Sequence, residues 1–520
     1  MKNTKIMWVI LLFVFTLIIS GCTSESAGTT SKENNSNSKE EKVSTSLVVA
    51  LAQEPTTLLG STTPVSSTSE IIRNITSRLI GYDGKGNFVP MLATEWKNID
   101  EHTWEFKLRE GVKFTNGAPF NAESVKYTMD FMLNPDNKSL YGSRWMKELK
   151  EFRVIDEYTF QLITVKPNPS LLHRVVTDFM PIEPGYVEQV GIEEAGKKPI
   201  GVGAYKLVEW KSGEYIKLEA NEDYWEGAPE IKDVTITFIP EFSSRLSALL
   251  SGEVDLIKSV PVDSMERVEA DENSKIISAL TGKPTFVGLS TFKDSPLRDV
   301  KVRQALNYAI DVDSLIKNVM NGKAQKLTGT LTPFNASYIK MEGYKYNPEK
   351  AKELLKEAGY EPGEITLKFE TTNGYFPMDS QVTQAIAGEL EKIGIKVEVV
   401  QHETGIFVQK VTSQNMENMF YYHTAASTEA ESFYSFFMSP TGTYRFHNNP
   451  ELLEEVAATF PIFNQQERQE AMAGIQRKLS DEAVIIPLWV GEDIWGARKD
   501  ISFEPTFNEM LEIHNIKRGQ

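Results

Sequence analysis

The chain begins with an apolar run that precedes any globular pattern. Met7 to Ile19 are largely apolar, follow Lys2 and Lys5, and are followed by small residues before Cys22. This is the layout of a secretory signal peptide, and the run is shorter than the ~20 residues that a bilayer-spanning helix needs. We therefore expect residues 1–21 to be a signal peptide.

The next segment has almost no apolar residues. From Thr23 to Ser46 the chain is rich in Ser, Thr, Asn, Glu and Lys, a composition that cannot bury enough surface to offset the entropy of ordering. Cys22 is the only cysteine, so it cannot form an intramolecular disulfide. Ile19 to Cys22 resembles the bacterial lipobox, which implies a diacylated thiol and stable membrane attachment through two acyl chains. We expect residues 22–46 to be a lipidated cysteine with a flexible tether.

Beyond the tether, apolar positions follow helical and strand periods in turn. An apolar stripe at Ile71, Ile72, Ile75 and Leu79 predicts a helix, and Asn121 caps another that runs to Met132. Further helices are predicted at 243–250 and 300–310. Strands are predicted at 46–51, 104–108, 205–210, 215–220 and 234–239.

Residues 347–399 alternate helix, strand, helix and strand. Asn347 and Pro348 are suited to begin the first helix, and Gly359 is suited to end it. Strands at 365–370 and 395–400 flank a second helix. This order favours a sheet covered by helices, so we predict an α/β protein with one sheet-rich lobe, one α/β lobe and a ligand cleft between them.

Composition and charge limit which class of protein this is and which partners it can have. Hydrophobic residues make up 41% of the 520 residues, which indicates a globular chain with two or three domains. The formal net charge of -17 argues against nucleic-acid or anionic-lipid partners. We expect a monomer.

Motifs for catalysis are incomplete. There is no Gly-x-Ser-x-Gly sequence. His402 and Glu403 begin like a zinc-protease helix, but Ile406 stands where the second histidine is needed. Gly201 to Gly203 precede a predicted strand, whereas a dinucleotide loop must open a helix. The six histidines lack metal-ligand spacing. We expect no enzyme activity, no cofactor and no metal site.

Several blocks along the chain are specific enough to compare with known families. The strongest is Trp104 to Lys126, and the others are Pro90 to Trp96, Pro199 to Leu207, Asn221 to Trp225, Gly252 to Leu256, Val302 to Asp311, Ala351 to Tyr360 and Asp481 to Pro487. In this order they resemble the family 5 extracellular solute-binding proteins, which include oligopeptide-, dipeptide- and nickel-binding components of ABC importers. The resemblance extends from about Leu47 to Asn515.

The resemblance implies a type II periplasmic-binding-protein-like fold in its large three-subdomain form. Lobe I would comprise residues 47–284 plus 490–520, with about 91–195 as an extra subdomain, and lobe II would comprise 285–489. The chain would be anchored to the outer face of the bacterial cytoplasmic membrane and would deliver a small peptide-like solute to ABC permease subunits. Hinge closure around the solute would bury it between the lobes.

Peptide-binding relatives carry an aspartate that pairs with the ligand's α-ammonium. By resemblance, Ala426 occupies that position here, so the usual anchor is missing. Either Glu429 or Glu431 supplies the carboxylate from a shifted position, or the ligand lacks a free amine there.

A metal chelate, such as one of nickel, is the alternative ligand, because Arg144 and Trp145 fall where nickel-type relatives have a chelate-facing tryptophan. An oligosaccharide is a third ligand class. A secreted hydrolase sharing the fold, or a receptor or chaperone without an importer, would be a different kind of protein. Further candidates for the cleft are Tyr421, Tyr422, His423 and Arg445.

Overall fold

The structure is a computed structural model that describes residues 44–63 and 66–519. The predicted signal peptide, Cys22 and most of the predicted tether lie outside the described residues. Within the described part of the chain, no helix is both long enough and apolar enough to cross a bilayer.

All seven strands predicted from the sequence are present, and the described residues contain twelve further strands. They are β1 Ser46–Leu51, β2 Ile80–Tyr82, β3 Phe88–Pro90, β4 Ala93–Asn98, β5 Thr103–Leu108, β6 Leu149–Asp156, β7 Thr159–Thr164, β8 Tyr205–Lys211, β9 Tyr215–Ala220, β10 Asp233–Phe238, β11 Leu256–Ile257, β12 Ser274–Leu289, β13 Ala324–Lys326, β14 Thr366–Thr371, β15 Lys396–Gln401, β16 Met419–His423, β17 Ile485–Arg498, β18 Ile501–Ser502 and β19 Lys517–Arg518.

Helices occur in both halves of the described chain. They are α1 Ser66–Ile75, α2 Ala122–Leu133, α3 Gly142–Glu148, α4 Leu171–Asp178, α5 Pro184–Val190, α6 Ile192–Lys197, α7 Phe242–Ser251, α8 Met265–Glu269, α9 Val300–Ala309, α10 Val312–Asn318, α11 Pro348–Glu357, α12 Asp379–Glu391, α13 Thr404–Thr412, α14 Ala430–Phe437, α15 Pro450–Ala458 and α16 Gln465–Asp481.

One large mixed sheet runs through the molecule in the order β15-β14-β16-β12-β17-β11-β1-β10-β9-β8. Its two central strands, β12 and β17, are antiparallel and unusually long. Residues 274–280 of β12 pair with 492–498 of β17, and residues 284–288 pair with 485–490. The register shifts between Leu280 and Pro284, so the two long strands join two halves of the sheet across an interruption.

A separate antiparallel sheet, β4-β5-β7-β6, packs beside α2, α3 and α4. Its core contains a column of rings in which Phe160 stacks on Phe106 at 4.9 Å and on Phe152 at 5.0 Å between centroids. As predicted, Asn121 caps α2, because its side chain accepts hydrogen bonds from the backbone of Glu123 and Ser124. This sheet has its own hydrophobic core.

The predicted helix through Leu79 is shorter than expected. The α1 helix ends at Ile75, and Leu79 instead lies buried next to β2. Gly201 and Gly203 pack against the end of this helix, where an added Cβ on Gly201 would lie 2.1 Å from the carbonyl oxygen of Ile75. The two glycines therefore serve close backbone packing.

Candidate functional site

The segment that follows β16 contacts the N-terminal half of the chain. The Thr428 hydroxyl donates to the Tyr82 hydroxyl oxygen at 3.0 Å, and the Tyr82 hydroxyl lies 2.5 Å from Nδ1 of His173. Burial lowers the pKa of His173 to about 3, so its ring is neutral and can accept from Tyr82. We call this contact region between the halves the lobe interface.

Both glutamates selected from the sequence lie at the lobe interface. Glu431 accepts from the Ser170 hydroxyl at 2.7 Å and from Arg468 at 3.3 Å. Glu429 lies 3.5 Å from the same guanidinium group. Arg468 also donates to Ser170 at 2.8 Å. One buried arginine of α16 thus lies beside two carboxylates, which together carry more negative charge than it can balance.

Burial changes the titration of Glu429. Burial raises its pKa to about 7, with Arg468 opposing the shift and Glu431 adding to it. Close to neutral pH this side chain therefore changes between the acid and the carboxylate. A ligand ammonium that approached it would have to compete with Arg468.

Ala426, which stands where peptide-binding relatives have aspartate, lies beside the interruption of the β12–β17 pair. A Cβ added to Gly282 would lie 3.2 Å from Cβ of Ala426 and 2.7 Å from the ring of Phe507. The Gly282 N–H donates to the carbonyl of Phe507 at 2.6 Å. The candidate segment is thus packed directly against the junction of the two halves.

One buried and one half-buried ion pair lie at the same junction. Lys283 pairs with Glu509 at 2.5 Å, and Lys258 pairs with Glu70. Burial raises the pKa of Asp493, which accepts from the indole of Trp495 at 2.7 Å. Charged groups removed from water in this way are costly unless paired, so this network constrains how the strands can move.

Arg144 and Trp145 do not lie open to a ligand. Trp145 is fully buried, and its indole N–H donates to Asp178 at 2.9 Å. Arg144 pairs with the same carboxylate at 2.5 Å. Because Asp178 is also fully buried, Trp145 belongs to the core beneath α3, and Arg144 is already neutralised.

The aromatic candidates on β16 are also core residues to different degrees. Tyr421 is fully buried and donates to the carbonyl of Pro377 at 2.9 Å. Tyr422 packs in a ring cluster with Phe376 at 5.3 Å and Phe437 at 5.4 Å between centroids. Neither ring forms an open platform in this conformation.

His423 and Arg445 are held by nearby groups. Nδ1 of His423 lies 2.9 Å from the hydroxyl of Thr285, and burial, followed by the charge of Lys283, lowers its pKa to about 4. Arg445 donates to the carbonyl of Pro440 at 2.9 Å. His423 adjoins the strand junction, so it is the better placed of the two.

Sequence reasoning missed Ser170 and Arg468. Arg468 follows Asn464, the cap of α16, at a position that by pattern alone resembles any helical arginine. Only the fold brings it to Glu431. In the part of the chain that the structure describes, no group of three or more His, Cys, Asp or Glu side chains is arranged to hold a metal ion.

Comparison with known proteins gives consistent matches over most of the chain. The family model described as bacterial extracellular solute-binding proteins, family 5 Middle, matches residues 87–445. The glutathione-binding protein GsiB of Pectobacterium atrosepticum is 27% identical over 433 residues, covering 80% of this chain and 83% of that protein. The oligopeptide-binding protein AppA of Bacillus subtilis is 28% identical over 440 residues, covering 80% of this chain and 79% of that protein.

The fold is also shared with a solved structure. The ABC transporter substrate-binding protein CtaP of Listeria monocytogenes superposes with a TM-score of 0.84 at 21% identity, over 92% of this chain and 100% of that chain. This similarity confirms the predicted two-lobed α/β fold of the periplasmic-binding-protein type.

The buried Glu429 predicts a specific pH dependence of stability. Its folded-state pKa of about 7 lies above the ordinary value of 4.5, so the folded state binds more protons between these pH values. The free energy of unfolding should therefore fall as pH rises from about 5 to 8, by an amount on the order of 3 kcal/mol from this group. Urea unfolding at several pH values measures it.

In Glu429→Gln, which keeps the shape of the protonated acid, this part of the pH dependence should disappear, and the variant should be the more stable protein at pH 8. Glu193→Gln is the matched control, because Glu193 is exposed. Identical pH profiles for the wild type and Glu429→Gln would show that Glu429 titrates normally.

Proposed function

Because this chain belongs to the bacterial extracellular solute-binding proteins of family 5, we propose that it is the substrate-binding component of an ABC importer and captures a small peptide or peptide-like solute. The observation that carries the proposal is the lobe interface, where Ser170 meets Glu431 and Arg468. Polar groups from distant parts of the chain converge there beside the strand junction. The names of GsiB, AppA and CtaP support the class of solute and the importer partner.

Closure would take place about the interruption of the β12–β17 pair. We propose residues 47–284 plus 490–520 as lobe I, with about 91–195 as its extra subdomain, and 285–489 as lobe II. Pro284 has no N–H to give to the ladder, and the register shifts there. A solute would stabilise the closed form by its greater affinity for that form.

A peptide suits the polar groups at the lobe interface. Its ammonium would pair with Glu429 or Glu431 while Arg468 keeps the other carboxylate, because an ammonium taken out of water needs an anionic partner. Main-chain pairing with the segment after β16 would add affinity with little side-chain selectivity. Binding, without turnover of the solute, is the proposed activity.

A thermal-shift screen tests the ligand class. The chain from Thr23 onward is mixed with pooled di- to pentapeptides, glutathione, nickel with and without histidine, or small oligosaccharides. A solute at 100 times its Kd adds about 2.7 kcal/mol to the free energy of unfolding. We expect the peptide pools to raise the Tm, and Glu429→Gln or Glu431→Gln to abolish the increase.

Glu193→Gln should keep the full increase. A shift with nickel and histidine but with no peptide or glutathione would overturn the peptide proposal and favour a metal chelate. A shift with oligosaccharides alone would favour a sugar-binding protein.

We also propose that the chain is held at the outer face of the cytoplasmic membrane by acyl chains on Cys22. Its support is the lipobox-like sequence before this sole cysteine. Cells fed an alkyne-tagged fatty acid should label the full chain, and the Cys22→Ala variant should lose the label, because no other thiol is present. Equal labelling of the two would contradict the proposal.

A further inference from the structure

The α1 helix has several polar side chains, and Glu70 and Asn74 are fully engaged with the rest of the fold. Glu70 pairs with Lys258. The Asn74 side chain donates to the carbonyls of Glu70 and Leu511 and accepts from the N–H of Ile513. These contacts fix the helix against the C-terminal segment. Arg73, on the same helix, is different.

Arg73 has unused hydrogen-bond donors. Its Nε and Nη1 atoms are buried and have no hydrogen-bond partner among residues 44–63 and 66–519. These two atoms have no exposed surface in this conformation, but the residue as a whole is only half-buried, so other atoms of Arg73 remain accessible. Buried polar groups in native proteins are nearly always paired, and an unpaired one calls for an explanation such as an absent ligand.

The charge around Arg73 is also unbalanced. Arg78 is the neighbouring cation, and Glu512 is the carboxylate that acts most strongly on Arg73. Glu512, however, already accepts from Arg78 at 2.8 Å, and Nη1 of Arg78 is itself buried without a partner in the described part of the chain. Burial, followed by the charge of Arg78, lowers the pKa of Arg73 to about 9. Two guanidinium groups thus share one carboxylate.

The position of Arg73 connects it to the lobe interface. Arg73 interacts electrostatically with Tyr82 and Tyr141. Tyr82 is the residue that accepts from Thr428 across the interface, and it also senses the charge of Glu429. Arg73 and Glu429 therefore both act electrostatically on Tyr82, and two opposite charges near one tyrosine suit a short zwitterion.

We propose that Arg73 binds a carboxylate of the captured solute, with Arg78 adding to the positive field. This assignment rests on the proposed capture of a peptide-like solute and specifies which end of it enters the N-terminal half. The solute's carboxylate would supply the missing acceptor and the missing negative charge together, and charge-assisted hydrogen bonds of this kind are the stronger ones. The ammonium end would then point toward Glu429.

The test compares each peptide with its C-terminal amide. The pools are di- and tripeptides with a free carboxylate and the same pools as amides, titrated into the chain from Thr23 onward by calorimetry. We expect the wild type to bind the acids ~10–100 times more tightly than the amides, since a charged hydrogen bond contributes about that factor. Arg73→Gln should bind both forms with the low affinity of the amides.

The matched control is Arg153→Gln. Arg153 is exposed and pairs with Glu151 on β6, so this variant should keep the wild-type preference. A second readout is the Tm of the solute-free protein. Removal of an uncompensated buried cation should raise it by about 1–3 °C in Arg73→Gln, whereas a purely structural arginine would lower it.

Equal affinity of the wild type for acids and amides would overturn the role of Arg73 and leave peptide capture standing. If Arg73→Gln loses affinity equally for the acids and the amides and also has a lower Tm, the arginine only supports the fold. If neither acids nor amides bind the wild type, the proposed function fails and the assignment of Arg73 fails with it.

Discussion

The antiparallel pairing of β12 with β17 is the constraint on which the two-lobed arrangement depends. These strands are the only neighbours in the described sheet order that link the β14–β16 side to the β1 and β8–β11 side. Their ladder is broken between Leu280 and Pro284. Long paired strands resist bending, and a shift of register with a proline is a place where the ladder can flex.

The groups packed against that junction are charged and at least half-buried. Lys283 joins the broken part of β12 to Glu509 near the C-terminus, and Lys258 joins the neighbouring region to Glu70 of α1. At the lobe interface, Arg468 lies beside the carboxylates of Glu429 and Glu431. Arg73 of α1, in contrast, has unpaired nitrogens. A zwitterionic solute could therefore pair its ammonium with a carboxylate near Arg468 and its carboxylate with Arg73. Because these groups belong to different halves of the molecule, closure would depend on the solute.

The elements governed by local rules could be predicted from the sequence. Asn121 and Asn347 cap helices as expected, because the capping hydrogen bond reaches only two or three residues. Period-two patterns located β8, β9 and β10 to within a residue or two. The segment around Glu429 was found by its resemblance to a family, and it does lie where the halves meet.

What the sequence could not provide is the set of partners that are distant along the chain. Ser170, Arg468 and Glu431 meet only because α4, α14 and α16 converge. Trp145 and Tyr421 were plausible aromatic platforms, but burial depends on which neighbours cover a ring, and a periodic pattern does not reveal this. The unpaired nitrogens of Arg73 likewise become visible only when every neighbour is in place.

Solute-dependent closure is the central claim, and one distance tests it most directly. The chain from Thr23 onward has no cysteine, so spin labels can be placed at Lys166→Cys, close to Ser170, and at Glu470→Cys, close to Arg468; both positions are exposed. Pulsed electron paramagnetic resonance should show a long, broad distance distribution without solute and a shorter, narrower one with a binding peptide. An unchanged distribution while the peptide is bound would contradict the account.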